Sequence, residues 1–125
     1  MKSDIKWGYN NVRIKDRDQW KAAFTTNKGL YEPTVMFFGL TNLLATFQTM
    51  MNTIFRDLIA DGSMMVYMDD MAIHTAQQPD ETENKHIAQH RTIVNQVLQK
   101  LDEHDLYLNP NKCDFELPYI DFLGV

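Results

Sequence analysis

Apolar residues stand at Leu43, Leu44, Phe47, Met51, Ile54, Phe55, Leu58 and Ile59. That spacing repeats along one face of a helix, so a helix is predicted over residues 43–60. Thr41 or Asn42 is placed to cap its start, and Gly62 to end it. A second stripe, Ile87, Val94, Val97, Leu98 and Leu101, predicts a helix over residues 80–106. Asp80 and Glu83 have capping-box spacing at its start, and Asn109-Pro110 lies just past its end. Between the helices, Met64-Met65-Val66 and Met71-Ala72-Ile73 flank Asp69-Asp70. Two adjacent aspartates should break a strand, so residues 64–75 read as a β-hairpin whose tight turn falls on the pair.

The remaining stretches are less regular. Residues 3–14 open polar and alternate only at Asn11-Val12-Arg13-Ile14, which predicts a strand there. Residues 19–26 are a second strand candidate, with Trp20, Ala22 and Phe24 on one face. Residues 29–42, with Gly29, Pro33 and Gly39, read as loop, and residues 115–125 as extended chain. Helices interleaved with strands predict an α+β fold: a small antiparallel sheet with the two long helices packed on one face.

The length of 125 residues fits one domain over 1–125, with a modest core. The chain is 44% hydrophobic and 23% charged, as a soluble globular domain would be. No apolar run reaches the length of a membrane span, and Met1-Lys2-Ser3-Asp4 is not the start of a signal segment. A lone cysteine, Cys113, fits a reducing compartment and a structural role. The net charge of −5 argues against a stand-alone nucleic-acid binder, unless basic elements come from other segments of a longer protein. His86 and His90 have i, i+4 spacing, but no acidic residue lies between them in the metalloprotease pattern, so a solvated helix face is the better account. His104 on the same helix and His74 after the hairpin are read as structural, and the eight methionines as packing residues.

The chemistry centres on Asp69 and Asp70. Neighbouring side chains on a strand point to opposite faces, but at a turn both carboxylates can lean toward one site. Such a site suits a hard divalent cation, above all Mg²⁺. The bland alternative is a polar hairpin tip, since Asp forms turns readily. Two adjacent carboxylates are too few for two-metal phosphoryl transfer, which draws ligands from separate strands. From sequence alone Asp4 is one of many acids; far away in the chain and beside a candidate strand, it is the candidate third if a two-metal site is present.

With these residues in place, the chain resembles the palm region of a reverse transcriptase, and most closely that of gypsy-type (Metaviridae) long-terminal-repeat retrotransposons. The motifs that carry the resemblance begin with Asp4-Ile5-Lys6-Trp7-Gly8-Tyr9 and its flanks, then Trp20-Lys21-Ala22-Ala23-Phe24. Phe38-Gly39-Leu40-Thr41-Asn42 follows, leading to Ala45-Thr46-Phe47-Gln48. Tyr67-Met68-Asp69-Asp70, Asn109-Pro110-Asn111-Lys112-Cys113 and Phe122-Leu123-Gly124 complete the series. Y-x-D-D alone is a weak signal. The full series in order covers essentially the whole chain and is specific.

The resemblance implies an RNA-directed DNA polymerase, which transfers a nucleotide from a dNTP to a primer 3′-hydroxyl. Asp4, Asp69 and Asp70 would be the catalytic carboxylates. Asp4 and Asp69 would bridge two Mg²⁺ ions (Mn²⁺ being possible), the Ile5 carbonyl would be a further ligand, and Asp70 the least direct. Tyr9 would pack under the deoxyribose and exclude a 2′-hydroxyl. Phe38, Gly39 and Gln48 would line the nucleotide and template, and Met68 would touch the primer end. The implied partners are an RNA or DNA template-primer, dNTP and the other segments of a pol polyprotein: fingers upstream, thumb, RNase H and integrase downstream. The implied setting is intracellular, in a cytoplasmic virus-like particle and the nucleus, with no membrane.

Departures from the family pattern are visible. Leu43-Leu44 replaces a small residue and a proline, Phe37 stands where proline is commoner, and His74-Thr75 replaces a common Tyr-Ser. Leucine loses the preset φ that proline gives a first helical turn. An inactive retroelement fragment, or a domesticated binding or structural domain, is therefore the alternative. A nucleotide cyclase on a palm-like fold is a third reading, and the chain lacks a signature for it.

Overall fold

The structure, a computed structural model, describes residues 1–124. Its order is strand β1 (Lys2–Lys6), strands β2 (Phe24–Thr26) and β3 (Gly29–Tyr31), helices α1 (Leu43–Ile54) and α2 (Arg56–Ala60), strands β4 (Met64–Tyr67) and β5 (Asp70–Ile73), helix α3 (Glu83–Glu103) and strand β6 (Tyr107–Leu108). The main sheet has the order β4-β5-β1-β6 and every pairing in it is antiparallel. The fold is α+β, as expected. β2 and β3 form a separate, exposed hairpin.

One face of the main sheet is core. Ser3 and Ile5 of β1, Met64 of β4, and Met71 and Ile73 of β5 are all buried. All but Ser3 share an apolar cluster with Phe47, Met51 and Phe55 from the α1 region and Val94, Val97 and Leu101 from α3. The two stripes read from the sequence supply these side chains. The opposite face carries Asp4 and Asp70 in register.

Several elements differ from expectation. The helix over 43–60 is two helices, broken at Phe55, whose φ is −106° and ψ 21°. Lys100 Nζ of α3 donates to the Ile54 carbonyl at 3.1 Å, placing a cation at the carbonyl end of α1. α3 starts later than residue 80: Thr82 caps it, its hydroxyl accepting from the Lys85 N–H. At the other end, Leu106 N donates to Leu101 O at 2.9 Å and Asp105 N to Asp102 O at 3.2 Å. With Asp105 at φ 54°, this is a Schellman stop, in which an aspartate takes the place favoured by glycine.

The strand expected at residues 11–14 reduces to one bridge, Arg13 to Val35, after a 3₁₀ turn over Gly8–Asn11. The true strand is β1, in the polar opening. Residues 19–26 are a 3₁₀ turn (Gln19–Ala22) followed by β2, and β3 lies within the expected loop. Trp20, in the 3₁₀ turn, is exposed, as are both strands of the hairpin. Beyond Asp114, which bridges Lys2, no strand forms among the described residues. Glu116 and Leu123 at positive φ turn the chain instead, and Val125 lies outside the described residues.

Candidate nucleotidyl-transfer site

β1 lies between β5 and β6, and this placement builds the site. Asp4 pairs directly with Asp70, so the two side chains leave the sheet on the same face. Ile5 N donates to Asp69 O at 2.9 Å, and Asn109 N donates to Asp4 O at 3.0 Å. The opening acid therefore meets the Asp pair, as expected. The hairpin itself is shifted by one residue from expectation. Tyr67 pairs with Asp70, leaving Met68 and Asp69 as the two-residue loop. Met68 takes the positive φ of 55° that a tight hairpin needs. Asp70 belongs to β5, where its neighbours Met71, Ala72 and Ile73 are all buried. The apolar run fixes the register, since a slip of one residue would turn Met71 and Ile73 out of the core.

A cleft of about 300 Å³ opens beside β1. Of the residues expected at the site, Asp4, Ile5, Tyr9, Phe38 and Asp69 line it; Asp70, Gly39, Gln48 and Met68 do not. The Tyr9 ring is wedged edge-on between Phe47 and Phe38, with centroids 4.8 Å and 5.2 Å away. Phe38 is itself largely exposed. Gly8 has no room for a side chain, because an added Cβ would sit 2.7 Å from Phe47 Cζ. Gly39 holds a φ of 98° next to Phe38. Ile5 is a core side chain, so only its backbone is available to a ligand. The Gln48 amide uses both N–H bonds within the protein, to Val66 O at 3.2 Å and Asn52 Oδ1 at 2.9 Å. Its oxygen accepts from Met68 N at 2.6 Å.

Lys112 and Asn109 were not expected at the site, yet both line the cleft. Lys112 Nζ lies 3.4 Å from Asp4 Oδ2. The pairing of β6 with β1 and the Lys2–Asp114 bridge bring this residue to Asp4, and no local periodicity signals it. Lys6 and the exposed Trp7 complete one wall, the ammonium lying 5.4 Å from the indole centroid.

Two carboxylates, Asp4 and Asp69, and two ammonium groups, Lys6 and Lys112, line the cleft, with Asp70 adding a third carboxylate from β5. Burial pushes the Asp69 carboxyl above the ordinary carboxylate value, and the carboxylates of Asp4 and Asp70 push it further. A hydrogen bond from its own backbone and the Lys112 ammonium oppose the rise. Burial likewise raises the Tyr9 phenol, and the three aspartates add to the effect. Among the described residues, no group of three or more His, Cys, Asp or Glu stands close enough together to hold a metal ion. The pair that opens into the cleft, Asp4 and Asp69, presents only oxygen donors, and their repulsion is what a divalent cation relieves. These two fit a hard cation, whereas Asp70 stands on β5 outside the cleft lining.

A pH prediction follows from Asp69. Its pKa is raised in the folded state, so folding favours its protonated form. That contribution is complete below the unfolded value and is lost as pH rises through the raised folded value. Asp69→Asn is expected to be more stable than the parent at neutral pH, and to lose that advantage near the ordinary carboxylate pKa. Urea denaturation midpoints across this pH range check it. A difference that does not vary with pH would contradict the electrostatic origin.

Comparison with known proteins agrees with this geometry. The family model described as "Reverse transcriptase (RNA-dependent DNA polymerase)" matches residues 1–125. The Transposon Tf2-3 polyprotein of Schizosaccharomyces pombe is 33% identical over 123 residues, covering 98% of this chain and 8% of the polyprotein. The Transposon Tf2-7 polyprotein of the same yeast is 32% identical over the same length and shares. The chain thus spans about a twelfth of these relatives. In fold it is similar to a foamy viral protease-reverse transcriptase solved in complex with an RNA/DNA hybrid. That match has a TM-score of 0.79 at 24% identity and covers 98% of this chain and 15% of the viral one. With its whole length matched and its aspartates brought together by β1 and β5, this chain belongs to the reverse transcriptase family.

Proposed function

We propose that this domain is the palm of an RNA-directed DNA polymerase that moves a nucleotide from a dNTP to a primer 3′-hydroxyl. The observation that carries this reading is the β1–β5 register, which sets Asp4 opposite Asp70 and beside Asp69 at the mouth of one cleft. In the reaction the primer 3′-oxygen bonds to the α-phosphorus, the bond from that phosphorus to the β-phosphate bridging oxygen breaks, and the hydroxyl proton leaves to solvent. Bound divalent cations, Mg²⁺ or Mn²⁺, supply the acidification of the hydroxyl and the neutralisation of the departing pyrophosphate.

The chain's own residues position the reactants. Asp4 and Asp69 would hold the cations, the Ile5 carbonyl would add an oxygen, and Asp70 would contribute negative charge from the neighbouring strand. Tyr9, its ring supported by Phe47 and Phe38, would form the surface under the sugar and exclude a 2′-hydroxyl. Gly39 shapes the loop that presents Phe38, and Met68 at the hairpin tip meets the primer end. Lys112 offsets part of the acidic charge at Asp4. The partners are a template-primer, dNTP and further polyprotein segments. The setting is intracellular, in retroelement particles and the nucleus. No helix among the described residues is long and apolar enough to cross a membrane.

One observation favours a silent palm that binds without catalysis: the three carboxylates do not close into a single cluster. Single-turnover primer extension by the complete polyprotein separates the two readings, and titration with paramagnetic Mn²⁺ tests the cation site that the catalytic one needs. Line broadening of amide resonances is expected to begin at Asp4 and Asp69 and to disappear in Asp4→Asn. Broadening spread evenly over the acidic surface would sink the catalytic reading.

A further inference from the structure

We propose that Gln48 is a positioning residue, whose amide clips the strained Met68–Asp69 turn to α1 and so aims the Asp69 carboxylate into the cleft. Among the described residues, β4 is an edge strand with no neighbour beyond it. Tyr67 and Asp70 form the closing pair of the hairpin. Because hydrogen-bonding direction alternates along an antiparallel ladder, the Val66 carbonyl points away from β5. The Met68 N–H, in the loop, has no strand partner either. Gln48 meets both groups: Nε2 donates to Val66 O at 3.2 Å, and Oε1 accepts from Met68 N at 2.6 Å. Asn52, one turn further along α1, accepts the other Nε2 hydrogen at 2.9 Å and fixes the amide plane.

The clip acts where the backbone needs it. Met68 carries a side chain at φ 55°, a left-handed conformation that costs energy and persists only where neighbours enforce it. Asp69 is the next residue. Its carbonyl is held from the other side by Ile5 N at 2.9 Å. The turn is therefore fastened to α1 through Gln48 and to β1 through Ile5, and the Asp69 side chain leaves between the two anchors. Gln48 itself does not line the cleft.

The consequence for Asp69 rests on the nucleotidyl-transfer reading; the clip does not. Amide hydrogen exchange on the folded chain tests the clip. In Gln48→Met, which keeps length and loses both polar atoms, the Met68 amide is expected to exchange about tenfold faster, the loss expected for one hydrogen bond. Ser3, Met71 and Val97 should change by less than about twofold, because the core is untouched. Gln48→Glu keeps an acceptor for Met68 and should restore most of the protection, and Asn52→Ala should give a smaller effect of the same sign. Mn²⁺ titration reads the aim: the midpoint of broadening at Asp69 should weaken by about three- to tenfold in Gln48→Met, in step with the lost protection.

Unchanged Met68 exchange in Gln48→Met overturns the clip, as does a loss of protection equally large across the core. A loosened Met68 with an unmoved Mn²⁺ midpoint overturns the aiming role. If the parent shows no localised Mn²⁺ effect, the nucleotidyl-transfer reading falls instead, and the exchange result still decides the clip.

Discussion

Replacing Phe47 by alanine is expected to remove about 3–5 kcal/mol of stability. Phe47 is fully buried, and it is the side chain on which the site rests. Its ring meets Tyr9 edge-on at 4.8 Å, and lies so close to Gly8 that an added Cβ there would be 2.7 Å from Cζ and 3.0 Å from Cε2. The same position would be 3.1 Å from Ile5 Cγ2, so the space between β1 and α1 is filled from both sides. β-sheet pairing holds β1 rigidly between β5 and β6, so the hole left by alanine cannot collapse cheaply. A domain of this size has about 5–15 kcal/mol in total, so the variant should be close to unfolding at 37 °C. Equilibrium urea denaturation measures the loss, and a change below about 1 kcal/mol would show that Phe47 is not the keystone described. Phe47→Leu should cost much less, because it refills most of the volume.

The same residues show what the sequence makes legible. Both helical stripes were readable because most of their apolar side chains face one cluster (Leu44, exposed, and Ile87 do not), and a 3.6-residue period survives without any knowledge of the partner. The hairpin was readable because two apolar runs bracket a polar pair. Its register was not readable: the Asp pair looks like the turn, but the core decides, and burial of Met71 and Ile73 pulls Asp70 into the strand. β1 was hidden for a different reason. Of its two inward-facing residues one is Ser3, a buried polar residue whose hydroxyl finds no hydrogen-bond partner, so the alternation never appears in the letters. Lys112 was beyond reach altogether, since 108 residues separate it from Asp4 and only long-range pairing joins them. The break at Phe55 coincides with a hydrogen bond from Lys100, again a partner that lies far along the chain. Local periodicity found the helices and the β4–β5 hairpin; long-range pairing set the chemistry. The family resemblance supplied Asp4 in advance, because ordered motifs carry long-range information that periodicity lacks.

Asp4→Asn, placed in the complete polyprotein, is expected to lower single-turnover primer extension by about a hundred- to a thousandfold or more, the scale seen when one preorganised electrostatic group is lost. Loss of folding does not explain such a drop. The Lys112–Asp4 contact is a weak one, with the lysine side chain 61% exposed, and pairs of that kind contribute about 0–1 kcal/mol. Asp4 also repels Asp69, so neutralising it relieves strain on the folded state while removing one of the two carboxylates proposed to hold the cation. Denaturation midpoints of the parent and variant should therefore nearly coincide. The geometry also orders the three aspartates. Asp4 and Asp69 open into the cleft and Asp70 does not, so Asp70→Asn should retain more activity than Asp4→Asn or Asp69→Asn. If all three variants extended primers within about threefold of the parent, catalysis would have to come from other residues. If Asp70→Asn proved the most damaging, the cation would have to sit on the sheet face in front of β5, where Asp4 and Asp70 are paired, and Asp69 would be left as a turn residue.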